Sequence, residues 1–83
     1  MYSKIEQINI NDMFDRAMSI KEITVITYTD LMTDKEVEIW NELNAAERVG
    51  IILSFNLILV KNGVDRRIVP SVKLNDDRIF IYN

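Results

Sequence analysis

The longest apolar run, residues 49–60, is the feature that most constrains how this chain of 83 residues can fold. Only Ser54 and Asn56 interrupt it, and it is too short to span a bilayer as a helix. A globular domain must therefore bury it as a strand or as a helix. The hydrophobic period of a continuous apolar run does not distinguish these two structures.

The residues that follow this run favour a β-hairpin. Asn62-Gly63 is typical of a two-residue type I′ turn, and both flanking segments are rich in β-branched residues. Pro70 then lies in the second strand, which predicts a free edge or a bulge at that position. In this register one face of the hairpin is apolar, and it carries Ile51, Leu53, Phe55, Leu57, Leu59, Ile68, Val72 and Leu74.

An alternative interpretation makes residues 45–61 one buried helix that Gly63 closes. Gly50 in the middle and the β-branched side chains at positions 49, 51, 52, 58 and 60 weaken a helix. We therefore favour the strand.

Other local patterns place the remaining elements. Ile10 to Met18 fit a short helix that Asn9 or Asn11 caps, and residues 3–9 fit either an extra strand or the start of that helix. Residues 22–28 alternate as in a strand. Thr33 and Glu36 form a capping box that predicts an amphipathic helix over residues 34–48.

A turn at residues 75–77 precedes a last strand, residues 78–82. The sequence thus predicts a single α+β domain over residues 1–83. We expect a small, mostly antiparallel sheet of three or four strands, with a C-terminal β-meander, packed with one or two helices.

The absence of histidine and cysteine limits the chemistry that the chain can perform. The commonest general base, the commonest metal ligand and the best nucleophile are all missing. No phosphate-binding glycine loop or metal-ligand spacing is present either. We therefore expect no catalytic residue, metal or cofactor, and a protein that is not an enzyme.

Acidic side chains recur along the predicted helix at residues 34–48. Asp34, Glu38 and Glu42 share one face of it, and Asp30 comes just before it. Like charges at this spacing repel one another, so they do not stabilise the helix. We interpret the four residues as a contact for a protein with a basic surface, the alternative being an ordinary solvated face.

Basic side chains concentrate at the other end of the chain. Residues 48–83 carry six basic and three acidic side chains, whereas residues 1–47 carry four basic and ten acidic ones. A sheet that presents basic and aromatic side chains together can hold single-stranded nucleic acid. The candidates are Arg66, Arg67, Lys73 and Arg78, near Phe80 and Tyr82. The net charge of −3 repels a polyanion, so nucleic acid is the second hypothesis.

The second face of the predicted sheet is more apolar than a solvated face requires, since it includes Ile52, Ile58, Val60 and Val69. Such a face favours a protein partner or a homodimer. The leading hypothesis is a small acidic, non-catalytic protein-binding module without membrane contact.

The source and location of the protein follow from weaker patterns. Abundant Ile and Asn indicate an AT-rich coding sequence, which suggests a phage or mobile-element inhibitor that occludes a host protein that handles nucleic acid. The N-terminus mixes charged and apolar residues, unlike a secretory signal, and predicts a cytoplasmic protein.

Overall fold

A computed structural model describes residues 4–82 of the chain. It contains three α-helices and one three-stranded antiparallel sheet, which confirms the α+β class. The elements in chain order are α1 (Ile10–Met18), β1 (Thr24–Thr27), α2 (Asp34–Glu42), α3 (Ala45–Lys61), β2 (Ile68–Pro70) and β3 (Arg78–Ile81). Short 3₁₀ turns span Ile5–Gln7 and Tyr28–Leu31.

The first helix and the first and last strands of the predicted fold are confirmed. The side chain of Asn9 caps α1 by accepting a hydrogen bond from the Asp12 amide at 3.1 Å. Residues 3–9, predicted as either an extra strand or the start of this helix, contain the separate 3₁₀ turn Ile5–Gln7. Ser3 lies outside the described residues. Strands β1 and β3 form within residues 22–28 and 78–82, where strands were predicted.

The sheet has the order β1-β3-β2, so the last strand of the chain is its centre. Ile79 of β3 lies opposite Ile26 of β1 on one side and opposite Pro70 of β2 on the other. Pro70 has no amide hydrogen, and its place at the end of an edge strand agrees with the free edge predicted there.

The strand predicted through residues 49–60 is wrong, because this segment is the helix α3. Asn44 caps its first turn in a reciprocal capping box with Glu47, and both hydrogen bonds measure 2.9 Å. Ile51, Phe55 and Leu59 are buried at helical spacing. The packing of these three side chains outweighs the low helix propensity of the β-branched residues and Gly50.

Asn62-Gly63 ends the helix rather than turning a hairpin. Gly63 adopts a φ of +69°, and its amide donates to the Val60 carbonyl at 3.1 Å. The amide of Val64 reaches back to the Leu59 carbonyl at 3.0 Å. This is a Schellman motif, in which glycine has the left-handed conformation that a type I′ turn also requires. The alternative interpretation of residues 45–61 as a helix closed by Gly63 is therefore correct.

The single helix predicted over residues 34–48 is two helices. Leu43 is extended (φ −75°, ψ 144°) and is followed by the Asn44 cap, so the chain turns a corner between α2 and α3. Arg48 closes this corner from the α3 side. Its Nε donates to the Trp40 carbonyl at 3.1 Å, and its guanidinium lies 4.9 Å from the centre of the Trp40 ring.

The core lies between the helices and one face of the sheet. Tyr28 is at its centre, stacked on Trp40 at 5.9 Å and edge-to-face with Phe55 at 5.6 Å. Burial, together with the charge of Asp77, raises the pKa of Tyr28 well above its usual range, so the phenol stays neutral. The sheet contributes Ile68, Ile79 and Ile81, each at most 2% exposed.

Candidate functional site

Of the four carboxylates predicted to contact a partner, two make contacts within the described part of the protein and two do not. Asp34, Glu38 and Glu42 lie exposed along α2 as expected. Glu42, however, forms an ion pair with Lys4 at 3.3 Å. Asp30 caps the 3₁₀ turn in which it lies, because its Oδ2 accepts a hydrogen bond from the Thr27 amide at 2.8 Å. Only Asp34 and Glu38 remain as exposed acids without such a structural role among the contacts seen in residues 4–82.

A carboxylate outside that group, Glu36, has the most extensive contacts. It is 6% exposed, and its Oε1 accepts the Thr33 amide at 2.9 Å in the predicted capping box. Its Oε2 accepts the Asn9 amide, at the start of α1, at 2.7 Å. Arg16 lies 3.5 Å from Oε1 and also donates to the Leu31 carbonyl at 2.8 Å. Glu36 thus connects the beginnings of two helices.

The electrostatics of Glu36 follow from these donors. Burial by itself raises the pKa of a carboxyl, but the backbone amides of Thr33 and Asn9, the Thr33 hydroxyl and the Arg16 charge lower the pKa of Glu36 below its usual value. The carboxylate is therefore ionised at neutral pH and held by donors on both oxygens. Such a group stabilises the fold and is poorly suited to move a proton.

A polar groove of about 450 Å³ lies over this junction. Its lining residues are Glu6, Gln7, Asp12, Thr33, Lys35 and Glu36. No group of three or more side chains of the types that bind metal ions comes together within residues 4–82. The groove thus combines acids, a lysine and helix ends without a convergent set of ligands.

The four predicted basic residues occupy different positions. Arg66 is exposed in the connection from α3 to β2, and Lys73 is exposed in the loop from β2 to β3. Arg67 is half-buried, and its Nε has no hydrogen-bond partner among the described residues. Arg78 lies on β3 and clamps Asp76, with Nη2 to Oδ2 at 2.8 Å. This ion pair, the Ser71 hydroxyl and the Arg78 amide lower the pKa of Asp76.

Two of these cations, Lys73 and Arg78, lie at an open face of the sheet. Because Ile79 and Ile81 point into the core, neighbouring positions on β3 point away from it. We define the outer sheet face as Val25, Val69, Arg78, Phe80 and Tyr82. The strand register places Phe80 between Val25 and Val69. Val25 and Tyr82 are 52% and 51% exposed.

A shallow groove of about 310 Å³ lies on the outer sheet face next to β2. Its lining includes the apolar side chains of Val69, Val72, Phe80 and Tyr82 and the basic side chains of Lys73 and Arg78. The guanidinium of Arg78 lies 5.6 Å from the centre of the Phe80 ring. An apolar second face of the sheet is therefore present, but Ile52, Ile58 and Val60, which were predicted on it, belong to α3.

A second exposed apolar surface was missed by the sequence analysis. Along α3, Val49, Leu53, Leu57 and Val60 are 45%, 63%, 55% and 62% exposed. Leu53 and Leu57 were predicted in the core beside Phe55, which is correct only for a strand. The spacing of these four residues, at every third or fourth position, was the signal that could have revealed the surface.

None of the helices within residues 4–82 combines the length and the apolar character needed to cross a membrane. The chain matches no protein-family model, and neither the curated proteins nor the solved structures include one that is significantly similar to it.

Proposed function

We propose that this chain is a non-catalytic protein-binding module and that the outer sheet face is its binding surface. The observation that carries the proposal is the exposure of that face. The opposite face of the sheet is buried by the core, whereas Val25 and Tyr82 remain about half exposed around Phe80. A continuous apolar surface rimmed by charge is typical of protein interaction sites.

The groove also indicates the chemistry of the partner. Its apolar lining fits apolar side chains, and the exposed Lys73 beside it favours a segment that also carries a carboxylate, whereas Arg78 is already paired with Asp76. Asp34 and Glu38 offer a separate contact to a basic region of the same partner. A domain of this kind acts by occluding the surface it covers, which suits an inhibitor of a host protein that handles nucleic acid.

Substitution of Val25 tests the proposal. Val25→Glu places a charge on the outer sheet face next to Phe80, on an exposed side chain, so the fold should persist. We expect the amount of partner captured from a lysate of the source cells to fall at least about tenfold, because desolvating an unpaired carboxylate opposes binding. Quantitative mass spectrometry of proteins retained on the immobilised variants measures this amount.

Asn11→Glu is the matched control, since it adds the same charge at an exposed position on α1, away from both proposed contacts. Wild-type protein and this control should retain the same partner. Equal retention by Val25→Glu would remove the outer sheet face as the binding surface. Absence of any partner specific to the wild-type protein would remove the proposed function itself.

Single-stranded nucleic acid is the second candidate ligand of the same face, because Phe80 and Tyr82 could stack with bases beside Arg78 and Lys73. Fluorescence anisotropy of labelled single-stranded DNA and RNA at about 50 mM salt tests it. If nucleic acid binds here, Lys73→Ala should reduce the slope of the binding constant against salt concentration, on logarithmic scales, by about one phosphate contact. The control Lys35→Ala on α2 should leave this slope unchanged. If the anisotropy stays constant when the wild-type protein is added, nucleic acid is eliminated as a ligand.

A further inference from the structure

Helix α3 is apolar on two opposite faces, and only one of them is covered in the described chain. Ile51, Phe55 and Leu59 are at most 1% exposed in the core. The opposite face is the α3 stripe, which consists of Ala46, Val49, Leu53, Leu57 and Val60. A helix that is hydrophobic all round is normally buried all round. The α3 stripe is therefore a surface that a second apolar element can cover.

The spacing of the α3 stripe is symmetric about Leu53. Val49 and Leu57 lie four residues to either side of it, and Ala46 and Val60 lie seven residues to either side. When two identical helices pack antiparallel about a two-fold axis at Leu53, Ala46 meets Val60 of the second copy and Val49 meets Leu57. A two-fold interface requires this reciprocity, in which every contact between two different positions occurs twice, once from each copy. The stripe thus matches its own antiparallel copy.

The volumes along the stripe allow close approach. Ala46 is small and would lie opposite the larger Val60. At Gly50, beside the stripe, no atom lies within 4 Å of the position that a Cβ would occupy. Small residues at such positions let two helix backbones come near one another, and larger side chains from the other helix fill the space.

Charge favours the antiparallel orientation over the parallel one. Glu47 in the first turn and Lys61 in the last turn lie on the same flank of the α3 stripe, each about 100° around the helix from Leu53. Antiparallel pairing brings Glu47 of one copy next to Lys61 of the other, and it also opposes the helix dipoles. In a parallel pair the two copies of Glu47 would lie at the same level but on opposite flanks of the interface, as would the two copies of Lys61, so neither charge would meet an opposite one in this way.

From these observations we infer that the α3 stripe binds the same stripe of a second copy of this chain, with the helices antiparallel and Leu53 on the two-fold axis. The occupant is a second copy because the apolar pattern and the flanking charges are both complementary to themselves in this arrangement. One helix pair buries less than a standard interface, so association should occur at tens of micromolar, as an order of magnitude. The pairing uses a different surface from the outer sheet face and does not depend on it.

Disulfide trapping tests the orientation directly, since the chain contains no native cysteine. The two Ala46 positions lie about 21 Å apart in the antiparallel pair, far beyond disulfide reach. Under mild oxidation, Leu53→Cys should therefore form covalent dimers. Ala46→Cys and Val60→Cys should cross-link when mixed, but neither should do so alone. Efficient self-linking of each of these two variants without the mixed product would overturn the antiparallel arrangement.

Sedimentation equilibrium of the Cys-free protein tests whether the pair forms at all. At about 200 µM the average mass should approach twice 9.7 kDa. Leu53→Glu should raise the dimer dissociation constant at least about tenfold. Lys61→Glu should raise it about two- to threefold, with the effect decreasing at high salt.

Val72→Glu is the control, since it charges a side chain that is 99% exposed and belongs to the sheet groove. This variant should dimerise like the wild-type protein. A wild-type protein that stays monomeric at about 200 µM would overturn the inference. So would a dimer that Val72→Glu dissociates and Leu53→Glu does not. Neither result would affect the capture experiment with Val25→Glu.

Discussion

Replacing Glu36 with Ala is expected to lower the free energy of unfolding by about 3 kcal/mol, a large fraction of the stability of a small domain. The substitution removes the acceptor of the Asn9 and Thr33 amides and leaves two partly buried N–H groups without a partner. It also leaves the Arg16 guanidinium without its carboxylate. Urea unfolding followed by circular dichroism at pH 7 measures the loss.

Glu38→Ala is the matched control for this substitution. Glu38 lies two residues further along α2 but is exposed, so its removal should change the free energy of unfolding by less than about 0.5 kcal/mol. Equal losses in the two variants would show that Glu36 does not connect α1 to α2 in solution.

The pH dependence of the same carboxylate has a defined sign. Because its donors lower the pKa of Glu36 in the folded protein, Glu36 contributes stability above the unfolded-state value of 4.5. That contribution is lost as the pH falls through the lower folded-state pKa. The difference in unfolding free energy between wild type and Glu36→Gln should therefore be constant above about pH 5.5 and should shrink toward pH 3.

Local signals in the sequence predicted several elements correctly. The capping box of Thr33 and Glu36 begins α2 where predicted. Alternation predicted the strand at residues 24–27, and the turn at residues 75–77 with the β-prone residues after it predicted the strand at residues 78–81. Each of these signals concerns residues only a few positions apart. The structures they specify depend little on the rest of the chain.

The largest error arose where one local signal fits two structures. A left-handed glycine after an asparagine occurs both in a type I′ turn and at a helix C-terminus. Whether Asn62-Gly63 turns a hairpin or ends a helix depends on the structure of the residues before it. Asn44 and Glu47 form a capping box at the other end of the same segment, and this signal was not recognised. Taken together with Gly63, it marks both ends of a helix over residues 45–61.

The candidate surfaces were predictable only in part. The outer sheet face was expected, and Phe80, Tyr82 and Val69 do lie on it, because the last strands were placed correctly. The spacing of the acidic residues along α2 was also correct. The pairing of Glu42 with Lys4 joins positions far apart in the sequence. No local pattern reveals such a contact, since it depends on how the first turn packs on α2.

Phe55→Ala is expected to have the largest effect of any prediction here, a loss of about 4 kcal/mol in the free energy of unfolding. Phe55 is fully buried, and its ring packs edge-to-face on Tyr28. Removing the ring leaves a cavity between α3 and the aromatic centre of the core. In a domain of this size a loss of that magnitude approaches the whole stability, so we expect the variant to be only marginally folded in buffer.

Urea unfolding of Phe55→Ala beside Leu57→Ala tests most directly whether residues 45–61 form a helix with one buried and one open face. Two positions apart, these residues lie on opposite sides of a helix but on the same face of a strand. We expect a loss of about 4 kcal/mol for Phe55→Ala and less than about 0.5 kcal/mol for Leu57→Ala, which is 55% exposed in the wild-type protein. Losses of similar, large size at both positions would contradict the helix and, with it, the α3 stripe.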